Sequence, residues 1–379
     1  MSLLSKLTII IPTYNRQEYA IRSMKYYSGQ GMIVHVLDGT ENALDKKLLF
    51  NLESNINYHH FPVSINERLK IATEIINTEY ALLNGDDEFF LFSGLERCIK
   101  FLEEEDIVSC LGRSLFFNIN QNIITAEALN PESGSPWHPG YQNYSILEED
   151  YTNRIIKHMN PYLSIACYAV TRTHIWKTNF FAASVCKSST TDTEEIALEM
   201  ASAFQGKSKI INHLMWLRSG ENEPTQFADP IKYLSFGKWF ETTKYKNEVK
   251  LFVDNLSTVL QNLDKSISKE EISRIIIKGC EAFALFERSR RFGFKGWFVN
   301  ESSQISLVAL RYYIKKMIRR VFEKLKIVKR EDDYFDKYDT TLYGRACAWK
   351  DAGIGVDLDE IKSVSDLITN FHKDLNKAI

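Results

Sequence analysis

The feature that most constrains this chain is a short β-branched run, Leu7-Thr8-Ile9-Ile10-Ile11, which stops on Pro12, Thr13, Tyr14, Asn15 and Arg16. The run is too short to span a membrane, and its β-branched character predicts a strand buried on both faces. Proline cannot donate to a sheet ladder, so the strand is expected to end at Pro12, with the polar residues just beyond its carboxyl end. In open α/β sheets that end is where ligands bind.

A second apolar run, Tyr80 to Leu83, stops on Asn84, Gly85, Asp86, Asp87 and Glu88 and is followed at once by Phe89 and Phe90. Three successive acids repel one another unless a cation joins them. A hard divalent ion such as Mg2+ or Mn2+ suits carboxylate oxygen and can also bridge phosphate oxygens. The plainer alternative is a solvated acidic turn.

From Leu7 to Ile211 strands alternate with helices, the pattern of a mostly parallel sheet covered on both faces. The spacing predicts a helix over Tyr19 to Tyr27, then a strand from Ile33 to Leu37 that ends on Asp38. A short strand near Tyr58 to Phe61 and a helix from Asn66 to Ile76 follow, and that helix leads into the acidic run. Leu95 to Glu104 reads as a helix, Ile107 to Leu111 as a strand, and Phe116 to Leu129 as a hairpin. Asn130 to Tyr144 is a long loop carrying Trp137, His138 and Tyr141, and such loops are more often functional than inert. Leu163 to Thr171 reads as another buried strand, Glu194 to Gln205 as a helix, and Lys209 to Arg218 as a final extended element. Beyond Asn222 the pattern is helical: Ile231 to Thr243, Asn247 to Leu263, Lys269 to Arg288 with a Ser268/Glu271 capping box, Ile305 to Val328, and Asp357 to Leu375. Two parts are therefore expected, residues 1–225 and a mainly α-helical 226–379.

Composition narrows the function classes. A length of 379 residues suits two domains, or one large domain with an appendage. The formal net charge of -2 gives no global attraction to nucleic acid. Six cysteines without a C-x-x-C pair indicate neither a zinc module nor a disulfide framework, so they read as reduced thiols. The start lacks a signal-peptide pattern and no apolar run reaches spanning length, so a cytoplasmic protein is expected. The strongest charge patch is Arg311 to Arg330, nine basic residues against Glu323. Its apolar residues recur at helical spacing, so residues 305–330 form an amphipathic basic helix. Such a helix can lie on an anionic membrane surface, placing the protein peripherally on the inner face of the cell membrane; alternatively its apolar stripe docks on the core. No nucleic-acid recognition motif accompanies the charge.

PTYNR ending the first strand, Asp38 ending the second, and NGDDEFF ending the next major one resemble family 2 glycosyltransferases of the GT-A fold. The resemblance extends over residues 1–220 and is nearest to a bacterial subgroup of surface-polysaccharide synthesis proteins, through NGDDEFF and DTEEIALEMASAFQGK. It implies a nucleotide-sugar donor, a UDP sugar, and a glycan or lipid-linked acceptor. Pro12, Thr13, Tyr14 and Arg16 fall in the family's nucleotide-contacting stretch, and Asp38 matches the acid that hydrogen-bonds the base. NGDD resembles the D-x-D(D) motif with Asn84 in place of the first acid, so Asn84 and Gly85 stand at the donor, with Asp86 and then Asp87 as the implied metal ligands. The family's general base is implied among Asp192, Glu194 and Glu195, with Asp192 preferred because it sits at the loop end with Thr190 and Thr191. That carboxylate would take the acceptor's proton in an inverting transfer. As N-cap and first-turn acids, the same three would also satisfy the helix macrodipole without catalysis.

Arg218, and also Arg68 or Lys70, are placed to approach the diphosphate. His213 is a further candidate ligand, and Trp137, His138, Tyr141 and Trp176 are candidate lining for a sugar. Two other functions compete. A nucleotidyltransferase would need a Gly-rich basic loop after the first strand, which PTYNRQEY does not supply. A non-catalytic GT-A-like binding module is compatible with Asn84 and with the irregular base motif.

Overall fold

The computed structural model describes residues 2–120, 123–127, 144–164, 166–222, 234–292 and 337–378. In chain order these form β1 (Leu7–Thr13), α1 (Gln17–Tyr27), β2 (Ile33–Asp38), β3 (Ile56–His60), α2 (Ile65–Ile75), β4 (Tyr80–Leu83), β5 (Phe89–Phe90) and α3 (Phe92–Glu104). Then come β6 (Ser109–Asn120), β7 (Ile123–Glu127), β8 (Ser145–Ile146), α4 (Tyr151–Met159), β9 (Val170–Arg172), α5 (Thr173–Val185), α6 (Asp192–Gln205) and β10 (Ser208–Ser219). The remainder is helical: α7 (Phe236–Glu241), α8 (Lys246–Leu263), α9 (Lys269–Phe292), α10 (Leu342–Asp351) and α11 (Leu358–Ala378).

The strands form one sheet in the order β3-β2-β1-β4-β9-β6-β10-β5, with β7 beside β6 and β8 beside β10. β3, β2, β1 and β4 are mutually parallel, as are β6 and β10, while β9 runs antiparallel between the two groups. The alternation of β1 explains its place at the centre. Leu7, Ile9 and Ile11 face one layer, with α1 residues Ala20, Met24 and Tyr27 and α3 residues Leu95, Ile99 and Leu102. Ile10 faces the other, with Ala72 of α2 and Trp176 and Phe180 of α5. All four β1 side chains are fully buried, each worth about 1.5–3 kcal/mol over an exposed position.

Pro12 does not end the first strand. The pairing continues to Thr13, which lies opposite Asp38, and Gly39 N donates to Thr13 O at 2.9 Å. Leu163 to Thr171 is also not one buried strand, since only Val170–Arg172 is extended in the sheet. The amides of Ala166 and Cys167 donate to the Glu199 carboxylate at 3.0 and 3.2 Å, so a side chain takes donors that a strand would give to its neighbour. Helices α4, α5 and α10 are additional to the sequence expectation. The loop residues Trp137, His138 and Tyr141 and the basic segment 305–330 lie outside the described residues.

The helical C-terminal region packs in two places. α7, α8 and α9 share a core with α4 and α6, built on Phe236, Trp239, Phe252 and Phe283. α10 and α11 close over β5, β6, β7 and β10, where Trp349, Ile361, Val364 and Ile368 meet Phe89, Leu115, Phe117 and Leu217. Among the described residues, no helix is long and apolar enough to cross a membrane. All six cysteines are free, and four are buried.

Candidate active site

The carboxyl ends of β1, β2 and β4 meet at one place, and Asp38 anchors it. This fully buried carboxylate accepts hydrogen bonds from Gln17 Nε2 (2.6 Å), Tyr58 Oη (2.7 Å) and the Thr40 amide (2.8 Å). Burial works against its charge, but the donors from Thr40, Gln17 and Tyr58 outweigh it and hold the carboxyl below the usual aspartate range. Arg68 lies beneath. Its Nη1 donates to Thr13 O and Leu37 O at 2.5 and 2.6 Å, and a side chain at Gly39 would come within 2.6 Å of its guanidinium. Arg68 is thus committed to the two strand ends rather than free to reach a diphosphate, and Lys70 lies exposed on the same helix.

The acidic loop is held mainly by one face of α1. Arg22 Nη2 donates to Asp87 O (3.0 Å), Ser23 Oγ to Asp86 O (2.7 Å) and Tyr26 Oη to Phe90 O (3.2 Å), while Tyr27 Oη accepts from Phe90 N (2.9 Å). Asn84 belongs to this scaffold: it is buried, and its Nδ2 donates to Tyr27 Oη (3.2 Å) and Glu88 O (3.3 Å). Its Nδ2 is thus committed to the loop's shape, while its Oδ1 is buried with no hydrogen-bond partner among the described residues. A Cβ on Gly85 would meet the Glu88 carboxyl at 3.2 Å.

Asp86 and Asp87 are nearly buried and open towards one guanidinium: Arg16 Nη1 is 3.7 Å from Asp86 Oδ1 and 3.7 Å from Asp87 Oδ2. Thr13 Oγ1 donates to Asp86 Oδ2 (2.7 Å) and Asn222 Nδ2 to Asp87 Oδ2 (2.8 Å). Burial, and then the Asp87 charge, push Asp86 up to about 6; burial also raises Asp87. Glu88 is taken further. Burial pushes it up to about 8, although Arg218 Nε stands 3.7 Å away and Trp216 Nε1 donates to it at 3.0 Å.

The three acids at the start of α6 diverge. Asp192 Oδ2 accepts from the Phe236 amide (3.0 Å) and so faces the helical C-terminal region, while Glu194 Oε1 accepts from Asn66 Nδ2 (3.0 Å). Glu195 accepts from Tyr162 Oη at 2.5 Å. Burial pushes Glu195 up to about 7, and the neighbouring charges of Glu199 and Asp192 add to the push. Tyr168 stacks at 4.5 Å on Trp216, whose Nε1 donates to Glu88, and the preceding Cys167 amide donates to Glu199, one turn along α6 from Glu195. The Cys167–Tyr168 turn therefore links α6 to the acidic loop.

One turn further along α6, Glu199 is fully buried. Besides the two amides, it receives Ser164 Oγ (3.2 Å) and pairs with His158 Nε2 (2.7 Å), whose Nδ1 meets Tyr144 Oη (2.5 Å). A lone acid inside the apolar stretch IALEMASAF was the sequence signal for it. Gln17, Arg22, Tyr58, Glu221 and Asn222 carried no comparable signal, because a side chain that supports another across the fold has no local pattern.

Tyr14 is exposed at the mouth of the site, beside Asn15, whose φ of 55° turns the chain and whose amide donates to Thr40 Oγ1 (3.0 Å). Trp176 is fully buried against Phe180 and lines no sugar site. His213 bridges to Gly355 and lines a separate cavity of ≈ 410 Å³ with Arg97, Phe101 and Lys209. Among the described residues, no group of three His, Cys, Asp or Glu side chains could hold a metal ion. The Asp86–Asp87 pair nonetheless fits a divalent cation of the kind that takes one or two carboxylates and completes its shell with phosphate oxygens and water. Its two oxygens converge on one cationic group, and a second positive charge there would offset the burial and the Asp87 charge that raise Asp86.

No family model matches the sequence, and no curated protein matches it. Among solved structures, the fold has a distant likeness to S. aureus TarS 1-349: TM-score 0.42 and 15% identity, over 75% of this chain and 91% of that one. The same protein in complex with UDP-GlcNAc gives 0.42 and 12%, over 78% and 93%, and its complex with UDP gives 0.41 and 14%, over 75% and 91%.

Proposed function

We propose that this chain is a GT-A glycosyltransferase that moves a sugar, with inversion, from a UDP-sugar donor to a hydroxyl of a glycan or lipid-linked acceptor in bacterial surface-polysaccharide synthesis. The observation that carries this reading is the division of labour among these acids. An aspartate held ionised by three donors and a pair of crowded aspartates stand at the ends of β2 and β4, and a glutamate raised to about 7 stands on α6, beside Tyr162. Such separated proton affinities suit a base-recognition acid, a cation site and a general base respectively.

Asp38, at the end of β2, is the acid we assign to a nucleobase N–H, which would replace one of its present donors, with Thr13 beside it. Arg16 and Arg218 are the cations at the rim for diphosphate oxygens. Asp86 and Asp87 would hold Mg2+ or Mn2+, which when bound neutralises charge on the departing diphosphate. Of the three acids on α6, Glu195 is the one we assign as base. Asp192 and Glu194 are each held by an amide of a neighbouring segment, whereas Glu195 lies one turn along α6 from Glu199, which the Cys167–Tyr168 turn links to the acidic loop, and has a proton affinity matched to neutral pH. It would remove the acceptor hydroxyl's proton as that oxygen attacks the anomeric carbon, and Tyr162 Oη steadies its carboxylate.

Nucleotide release from a panel of nucleotide sugars, with and without Mn2+, tests the reading without knowledge of the acceptor, because slow hydrolysis also reports. Mn2+-dependent release from a UDP sugar is expected, and release lost in Asp86→Ala. Calorimetry showing no metal-dependent binding of any nucleoside diphosphate would overturn it in favour of a binding module.

A further inference from the structure

The last helix reaches the acidic loop. His372 of α11 bonds Glu221 Oε1 through Nε2 at 2.5 Å, and the carboxylate accepts, so Nε2 carries the proton. Both Glu221 oxygens accept from Arg22, Oε1 from Nη1 and Oε2 from Nη2, each at 2.7 Å, and Arg22 Nη2 donates to Asp87 O. The pair is sealed from water, with side-chain exposures of 1% and 1%. Three rings enclose the guanidinium: Phe371 of α11 at 4.5 Å, Tyr19 at 4.9 Å and Phe89 at 5.0 Å. The residue after Glu221, Asn222, holds the Asp87 carboxylate itself.

From this geometry we infer that His372 and Phe371 are positioning residues for the acidic loop, acting through Glu221 and Arg22 to fix the Asp87 backbone and carboxylate. A buried guanidinium is tolerable only when its charge is paired, and because Arg22 Nε is buried with no hydrogen-bond partner among the described residues, its two Nη groups carry the whole of that pairing. Glu221 supplies the pairing, and its own orientation is set by Ser219 Oγ (3.0 Å) on one oxygen and His372 on the other. Without His372, Glu221 can swing about the Ser219 bond, and Arg22 follows it away from Asp87 O. The helix furthest from the loop in sequence thus sets where the loop's second aspartate stands.

Amide hydrogen exchange on the full chain tests this without any ligand. His372→Ala is expected to speed exchange in a peptide covering residues 84–90 about tenfold, while residues 358–368 of α11 keep their protection. Gln places a donor near the imidazole Nε2 position, so His372→Gln is expected to restore the wild-type rate, and Phe371→Leu to give an intermediate one. The inference also deepens the transferase reading and, where that reading holds, His372→Ala lowers kcat/KM for the donor about tenfold and His372→Gln restores it. Unchanged exchange over 84–90, or equal loosening of α11, overturns the inference. A wild-type protein that binds no nucleotide overturns the transferase reading instead, with the exchange result still decisive here.

Discussion

At the residue scale, burial and donors make unlike reagents out of like acids. Glu195, raised to about 7, is protonated below that pH and so cannot act as a base there. The acceptor-dependent kcat/KM is therefore expected to rise through an ionisation near pH 7, and Glu195→Gln to lose roughly 10²–10⁴-fold in kcat. Asp192→Asn is expected to change kcat by less than about tenfold, since its oxygen is engaged by the Phe236 amide; steady-state kinetics of both variants separates the assignments. Arg68 shows the opposite case, a cation with only structural work. Arg68→Met removes two hydrogen bonds, leaving Thr13 O with the Gly39 amide alone, and is expected to cost about 1–3 kcal/mol, measurable by urea unfolding.

At the element scale, α1 is the template for the acidic loop, because residues 22, 23, 26 and 27 lie on one helical face and each bonds it. α2 begins on a capping box in which Ser64 and Glu67 exchange hydrogen bonds, and Ser64→Ala is expected to lower stability by about 1 kcal/mol in urea titration. The central strands were legible because Leu7–Ile11 and Tyr80–Leu83 are buried on both faces and so carry continuous apolar runs. The residues beyond their ends were legible as a polar edge for the same reason, and the carboxyl ends of β1, β2 and β4 do gather them in one place. The turn at Ala166–Cys167 was not legible, since its backbone donors go to Glu199, a partner more than thirty residues away. Nor could sequence separate Asp192, Glu194 and Glu195: adjacent residues on a helix point about 100° apart, and only the neighbours Phe236, Asn66 and Tyr162 reveal which way each is turned.

At the scale of the whole molecule, the raised acids act together on stability. In Glu195 and Glu88 the folded-state values, about 7 and about 8, exceed the ordinary glutamate value. The folded protein thus holds protons that the unfolded chain has released, and this contribution to stability is lost as pH rises through those values. The melting temperature is therefore expected to fall from about pH 4.5, where the unfolded glutamates ionise, and to level off above about pH 8. Glu88→Gln, which keeps an acceptor for Trp216, should flatten that fall in a thermal scan. A slope unchanged by the substitution would show that the loop's acids are ionised already.

The contact between α11 and the acidic loop also dictates an order of birth. Arg22 meets Glu221 across 199 residues, and Glu221 meets His372 across a further 151. At roughly 5–20 residues per second, synthesis of the chain occupies on the order of 20–75 s. Throughout that time the central strands can pair, yet Arg22 lacks its counter-ion, and then that counter-ion lacks its last tether. A chain cut short before Phe371 and His372 would have its sheet complete and its second loop aspartate unset.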